Sequence, residues 1–292
     1  MIGDTPRGRH MFADIDVSRP NIARVYDALL GGKDNFAADR EFVAKILEQA
    51  PRAPLWAKGN RAFLRRVVRH LVGDAGISQF LDIGSGLPTR GNVSEVAHDI
   101  DPTVHVVHVD NDPVVFTHSK ALLADARTTD IVLADIRDPA GILADPGVRA
   151  LIDFDRPVGL LLFAILHHIE DHENPGWIAT QLRDAMPPGS YLAISSFRMP
   201  GPEAAELRAA TIEGERLLAG NLGSGRWRED EEIFTWFGDW ELLEPGLVSM
   251  PDWRPPVRGR VRHDEVYHSS LCGVARKKAL LPESFSALYV PE

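Results

Sequence analysis

The chain has 292 residues, 44% of them hydrophobic, and a formal net charge of -10. That length supports one large α/β domain with an appendage, while the negative balance argues against a nucleic-acid backbone as main partner, since phosphate binding needs a positive field. The single cysteine, Cys272, excludes an internal disulfide framework, no Cys/His cluster has zinc-ligand spacing, and no apolar run resembles a signal peptide or a membrane span, so the expectation is a soluble, cytoplasmic protein without a metal.

Three helical segments come first. "RPNIARVYDALL" starts near Pro20 and stops at Gly31-Gly32, "AADREFVAKILEQA" runs into Pro51, and "LWAKGNRAFLRRVVRHLV" ends at Gly73. In the third, Phe63, Leu64, Val67, Val68 and Leu71 form an apolar stripe, and Arg61, Arg65, Arg66 and Arg69 are read as a solvated opposite face. From Gln79 onward short β-rich runs alternate with helices, the pattern of a parallel sheet covered on both sides. The strand candidates are "QFLDIG", "VHVVHVD", "DIVLADI", "VGLLLFAIL" and "SYLAISSF", most of them too apolar for a wet face. Between the first two, Asn92 and Glu95 have capping-box spacing. After the fifth, "PEAAELRAATIEGERLLAGN" and "EDEEIFTWFGDW" read as helices, and "ELLEPGLVSM" and "VYHSSLCGVARK" as two terminal strands in a hairpin-like pair.

Asp82, Asp110 and Asp135 each stand near the carboxyl end of an expected strand, where ligands of open parallel sheets bind. Asp110, at the end of the second strand, suits the two hydroxyls of a ribose. The turn Gly84-Ser85-Gly86-Leu87-Pro88-Thr89 has threonine where a dinucleotide fingerprint has its third glycine, and Asp82 beside it would repel a phosphate yet suit a cationic ligand. A ribose plus a cation and no phosphate is the profile of S-adenosylmethionine.

"LDIGSG", "HVDND", "LADIRD" and "AILHHI" resemble the motifs of class I S-adenosylmethionine-dependent methyltransferases. Together with "RPNIARVYDALLGGKDNFAADRE", "SSF" and "ELLEPGLV", they resemble a bacterial S-adenosyl methyltransferase family long catalogued as a domain of unknown function, from about Arg19 to Arg276. The resemblance implies a Rossmann-like α/β fold: a seven-stranded, mostly parallel sheet with helices on both faces and "HSSLCGVARK" as an antiparallel last strand. A helical lid over residues 1–58 would precede a cofactor-binding domain over 59–292. It further implies that Asp82, Gly84, Ser85 and Gly86 surround the methionine part and Asp110 the ribose. Asn111, Asp135 and Ile136 would frame the adenine, and Tyr26, Lys33 and Asn35 would reach the cofactor from the lid. The reaction would be displacement at the sulfonium methyl by an oxygen, nitrogen or carbon nucleophile of a small molecule, leaving S-adenosylhomocysteine.

His167 and His168, after the fourth strand, are the candidates to orient the acceptor or take its proton. Cys272 is expected to be a small buried hydrophobe. Trp227, Trp236, Phe237, Trp240 and Trp253 read as core first and acceptor pocket second. Two alternatives stay open at this point: a nicotinamide-dependent oxidoreductase, and a sensor that binds the cofactor without transfer.

Overall fold

The apolar runs become strands because helices cover both faces of the sheet and leave no wet side. In this computed structural model, which describes residues 16–123, 127–255 and 265–278, β1 (Gln79–Ile83), β2 (His105–Asp110), β3 (Thr129–Leu133), β4 (Gly159–Phe163) and β5 (Tyr191–Phe197) pair in parallel. β6 (Glu241–Leu242) and β7 (Ser270–Arg276) complete a seven-stranded sheet in the order β3-β2-β1-β4-β5-β7-β6, with β7 antiparallel to β5 and to β6. β6 is far shorter than "ELLEPGLVSM" suggests: beyond Leu242 the described pairing with β7 continues through the Leu243 N–H on the Val274 carbonyl at 2.8 Å and a bridge between Val248 and Cys272. Pro245 has no N–H to give a ladder at that point. The residues 256–264 of the expected connection lie outside those described.

The chain leaves β1 for β2 and β3 on one side, then crosses to β4 on the other, so the strand order reverses between β1 and β4. A crevice opens there at the carboxyl ends of the strands. Gly84 follows β1 and His167 follows β4, which places both at that reversal.

One face of the sheet is covered by α3 (Ala53–Gly73) and α4 (Val93–His98), with Phe63, Val67, Val68 and Leu71 packed under Phe80, Val106 and Trp253. The other is covered by α6 (Pro139–Ala144), α7 (Pro146–Leu151) and α8 (Pro175–Asp184) together with Trp236, Phe237 and Trp240. α5 (Pro113–Leu122) lies between β2 and β3 in the chain. Cys272 is buried and free, and burial pushes its thiol well above the ordinary range. Asn92 caps α4 through its side chain, which accepts from the Glu95 N–H at 2.9 Å, but Glu95 returns its carboxylate to the N–H of Gly91 rather than of Asn92, so the expected box is only half closed.

α1 (Ile22–Leu30) and α2 (Ala37–Gln49) precede α3, and α1 ends on Gly31 at φ 81°, a left-handed cap. Val25, Phe42, Val43 and Ile46 of these helices form a small core with Leu218 of α9 (Ala205–Leu222), the long helix after β5. Arg24 and Asp39 make a buried ion pair at 2.9 Å inside this unit. The arginines of α3 are not one solvated face. Arg61 is buried, Arg65 packs against Gly91, and Arg66 donates to the carbonyls of Trp253 and Met250 at 2.8 and 2.6 Å, leaving only Arg69 exposed. α10 (Asp230–Thr235) and α11 (Glu265–His268) complete the described helices, and no helix among the described residues is long and apolar enough to cross a membrane.

Candidate cofactor and acceptor site

The turn after β1 is held by β2: the N–H groups of Gly84 and Ser85 both reach the carbonyl of Val109, at 2.8 and 3.2 Å. Gly84 and Gly86 have φ of 73° and 66°, a region that side chains rarely adopt. Their surroundings differ. A Cβ on Gly84 would stand 2.7 Å from Ile165, whereas a Cβ on Gly86 would meet nothing within 4 Å. Gly86 therefore opens onto free space and Gly84 is clasped.

Asp110 closes the turn from below, accepting from the N–H of Gly86 at 2.8 Å and of Asp112 at 3.0 Å. Burial outweighs those two bonds and pushes its carboxyl up to about 6. Asp82 is buried beside it, with one carboxylate oxygen 2.9 Å from Nδ1 of His108. Asn111 donates to Asp135 at 3.0 Å. Partial burial of Asp135 raises its carboxyl, but the N–H and guanidinium of Arg137 and the Asn111 amide together hold it below the usual range.

Two cavities meet at this turn, one of about 610 Å³ and one of about 280 Å³. Gly84, Asp110, Asn111, Ile165 and His168 line both. Tyr26, Asp82, Ser85, Gly86 and His167 line the larger only, and Ile136 the smaller only. Asp135 reaches this region through Asn111 rather than by lining either cavity. Lys33 and Asn35 line neither: Lys33 is exposed, and the Asn35 amide donates to Asp27 at 2.8 Å. Asp27 is buried and also accepts from the N–H of Asp34, while a Cβ on Gly32 would fall 1.9 Å from it. The "GGKDN" segment is thus a turn wrapped on Asp27.

Both histidines are buried. Burial and the neighbouring His168 hold His167 well below its ordinary value; burial and then Arg137 lower His168 to about 4. Nδ1 of His167 accepts the N–H of Phe197 at 3.2 Å, so in the neutral ring the proton sits on Nε2. Nδ1 of His168 lies 3.2 Å from the hydroxyl of Ser224.

Sequence reasoning missed Arg61, Asn60 and the wall made by α9. Arg61 lines the larger cavity at 7% exposure, 5.7 Å from the centre of the Tyr26 ring, and pairs with no carboxylate among the described residues. The signal was present in its spacing: Arg61 stands four residues after Ala57, three before Leu64 and seven before Val68, on the buried stripe itself. Asn60 donates to the hydroxyl of Tyr26 at 2.9 Å and accepts from Ser195 at 2.6 Å, joining α1 to β5 through α3. Among the aromatic residues, Trp236, Phe237, Trp240 and Trp253 are core, whereas Trp227 lines the cavity.

A seven-stranded sheet of this order, with a glycine turn after β1 and an acid at the tip of β2, defines a class I methyltransferase, an enzyme that uses S-adenosylmethionine. The residues fit that cofactor on their own terms: a buried carboxylate at the tip of β2, open space above Gly86 and, on the wall of the larger cavity, a buried arginine that pairs with no carboxylate among the described residues. The chain belongs to the S-adenosyl methyltransferase family, whose sequence model matches residues 9–278. That membership removes the nicotinamide-dependent alternative. A candidate methyltransferase from Thermobifida fusca YX is 45% identical, with a TM-score of 0.85 over 90% of this chain and 97% of that one. A DUF574 family protein from Streptomyces avermitilis MA-4680 is 37% identical, with a TM-score of 0.83 over 90% of this chain and 100% of that one. Among curated proteins none matches the chain.

Proposed function

We propose that the enzyme methylates a small molecule, with the adenine of its cofactor in the smaller cavity and the methionine part sharing the larger one with the acceptor. The observation that carries this reading is the junction itself: one turn and one acid face both spaces, and the larger is more than twice the smaller. A space of about 610 Å³ falls within the ~300–1,000 Å³ of ordinary small-molecule sites.

When bound, S-adenosylmethionine supplies an electrophilic methyl on a sulfonium. The chain holds and orients. Asp110 accepts from the ribose hydroxyls, and the oxygen of Asp82 not facing His108 receives the ammonium. Arg61 pairs with the carboxylate. Ser85 and Gly86 border the methionine chain, and Asn111 and Ile136 border the adenine with Asp135 behind. Neutral His167 and His168 set no positive charge against a sulfonium. Of the expected lid, helices α1 and α2 close over the cofactor, with Tyr26 tying α1 to α3 through the carbonyl of Ala57 at 3.1 Å, while residues 1–15 lie outside those described.

Calorimetry with two probes tests the assignment. S-adenosylhomocysteine carries the methionine carboxylate and 5′-methylthioadenosine does not. A charge-assisted bond contributes about 1.5–3 kcal/mol, so Arg61→Met should weaken the first roughly tenfold to hundredfold and leave the second unchanged. Equal losses for both would remove the carboxylate role, and failure of the unaltered protein to bind either would remove the cofactor site.

A further inference from the structure

A line of hydrogen bonds runs without a break between the first helix and the loop that leaves β4, and its two ends dictate its direction. The N–H of Ala164, just past β4, can only donate and reaches Oγ of Ser195 on β5 at 3.1 Å. The carbonyl of Ala57 can only accept and takes the hydroxyl of Tyr26 at 3.1 Å. Asn60 of α3 stands between, its Nδ2 donating to the Tyr26 oxygen at 2.9 Å and its Oδ1 accepting from Ser195 at 2.6 Å. Every donor along the line therefore points the same way, an arrangement in which each bond polarises and strengthens the next. The middle link needs a donor and an acceptor on separate atoms of one uncharged side chain, which the amide of Asn60 supplies. Asn60 and Ser195 are both buried, so water does not compete for these bonds.

The β4 end of the line is conformationally strained. Ala164 has φ 55°, a left-handed conformation that residues with a Cβ rarely adopt and that persists only where the surroundings impose it. The next residue, Ile165, is the one that clasps Gly84, lying 2.7 Å from where a Cβ on that glycine would stand. Tyr26, Asn60, Ala164 and Ile165 all line the larger cavity together with Gly84. Whatever holds Ala164 in its left-handed form thus also sets Ile165 against the glycine turn.

We propose that Asn60 is a positioning residue for the cofactor: by relaying Tyr26 to Ala164 through Ser195, it makes the seating of α1 and the placing of Ile165 against Gly84 a single event. This deepens the cofactor reading above and rests on it, because the turn so positioned is the one assigned to the methionine part. Asn60 acts through its neighbours, Tyr26 on one side and Ser195 with Ala164 on the other.

The test is a double-variant cycle on the whole chain. Tyr26→Phe keeps the ring and removes one hydroxyl; Ser195→Ala removes the other and leaves Ala164 its bond to the Ser195 carbonyl at 3.0 Å. Without any ligand, Tyr26→Phe should move the amide proton resonance of Ala164 in the 15N-labelled protein, although three hydrogen bonds separate the two groups. In calorimetry with S-adenosylhomocysteine each single variant should bind about threefold more weakly, and the double variant should lose about as much as either one, because the line needs breaking only once. Asn60→Leu matches the side chain in size and removes the middle link. In that background Tyr26→Phe should change neither the Ala164 resonance nor the affinity. An unmoved Ala164 resonance, a roughly ninefold multiplicative loss in the double variant, or a response to Tyr26→Phe that survives Asn60→Leu would each overturn the proposal. The Tyr26 and Ser195 variants decide the matter even where Asn60→Leu does not fold. Failure of the unaltered protein to bind S-adenosylhomocysteine would condemn the cofactor reading instead, whereas the Ala164 resonance reports on the relay with no ligand present.

Discussion

At the glycine turn, backbone and short carboxylates shape the cavity: Gly84, Gly86, Asp82 and Asp110 are fixed by strands β1 and β2 and by hydrogen bonds of 2.8–3.2 Å. On the opposite side long apolar side chains shape it, carried by α1, α2 and α9, which pack on each other through Val25, Phe42, Val43, Ile46 and Leu218. The first half takes its rigidity from the sheet. The second has a small core of its own and one buried ion pair. On the proposed reading the cofactor lies against the half that the sheet fixes, and the larger cavity extends toward the half built from α1, α2 and α9.

The largest effect that would break this division is in the second half. Arg24→Met should leave Asp39 as an uncompensated buried charge, a loss of about 3–5 kcal/mol. If the halves are separable, hydrogen exchange will accelerate across α1 and α2 while β1 to β5 stay protected; uniform acceleration would show one cooperative unit. Next comes the glycine pair. Gly84→Ala combines overpacking against Ile165 with a disfavoured backbone, about 3 kcal/mol together, and thermal unfolding should register it. Gly86→Ala should lower stability by only about 1 kcal/mol yet impair S-adenosylhomocysteine binding, since its side chain would occupy open space.

A smaller effect sharpens the role of Asp110. Its folded carboxyl value is raised to about 6, so its contribution to apoprotein stability is fully present below the unfolded value near 4 and is lost as pH rises through 6. Binding runs the other way, because two ribose hydroxyls need the ionised form. S-adenosylhomocysteine affinity measured by calorimetry should be about tenfold weaker at pH 5 than at pH 7.5. A flat profile would remove Asp110 from the contact. The smallest expected change is none at all: the ring C–H resonances of His167 and His168 should not titrate between about pH 5.5 and 8, as both groups are neutral throughout.

The same division explains what could be read in the sequence. "FLDIG" and "HVDND" carry strand, turn and acid within a few adjacent residues, so local pattern was enough to place Asp82, Gly84 and Asp110. The far wall of the larger cavity draws on Val25, Trp56, Phe197, Leu207 and Trp227, residues brought together by tertiary packing alone. Local pattern even misled at Arg61, where charge suggested solvent while spacing put it on the buried stripe. At "GGKDN" it was the resemblance that implied cofactor contacts, and the turn there wraps on Asp27, a tertiary detail the local pattern does not carry.

Asp82 does not stand alone. Its carboxylate meets Nδ1 of His108 at 2.9 Å, Nε2 of that ring lies 3.2 Å from the hydroxyl of Ser94, and Ser94 reaches Asn92, the cap of α4, at 2.8 Å. Four side chains on three elements are thus linked in one buried polar chain, and such members contribute jointly rather than singly. For anyone redesigning this enzyme, the practical unit beneath the glycine turn is the quartet. Exchanging Asp82 for another residue strands His108, and transplanting the glycine turn into another scaffold without Asn92, Ser94 and His108 would carry over the loop but not the fixed angle at which its acid is presented.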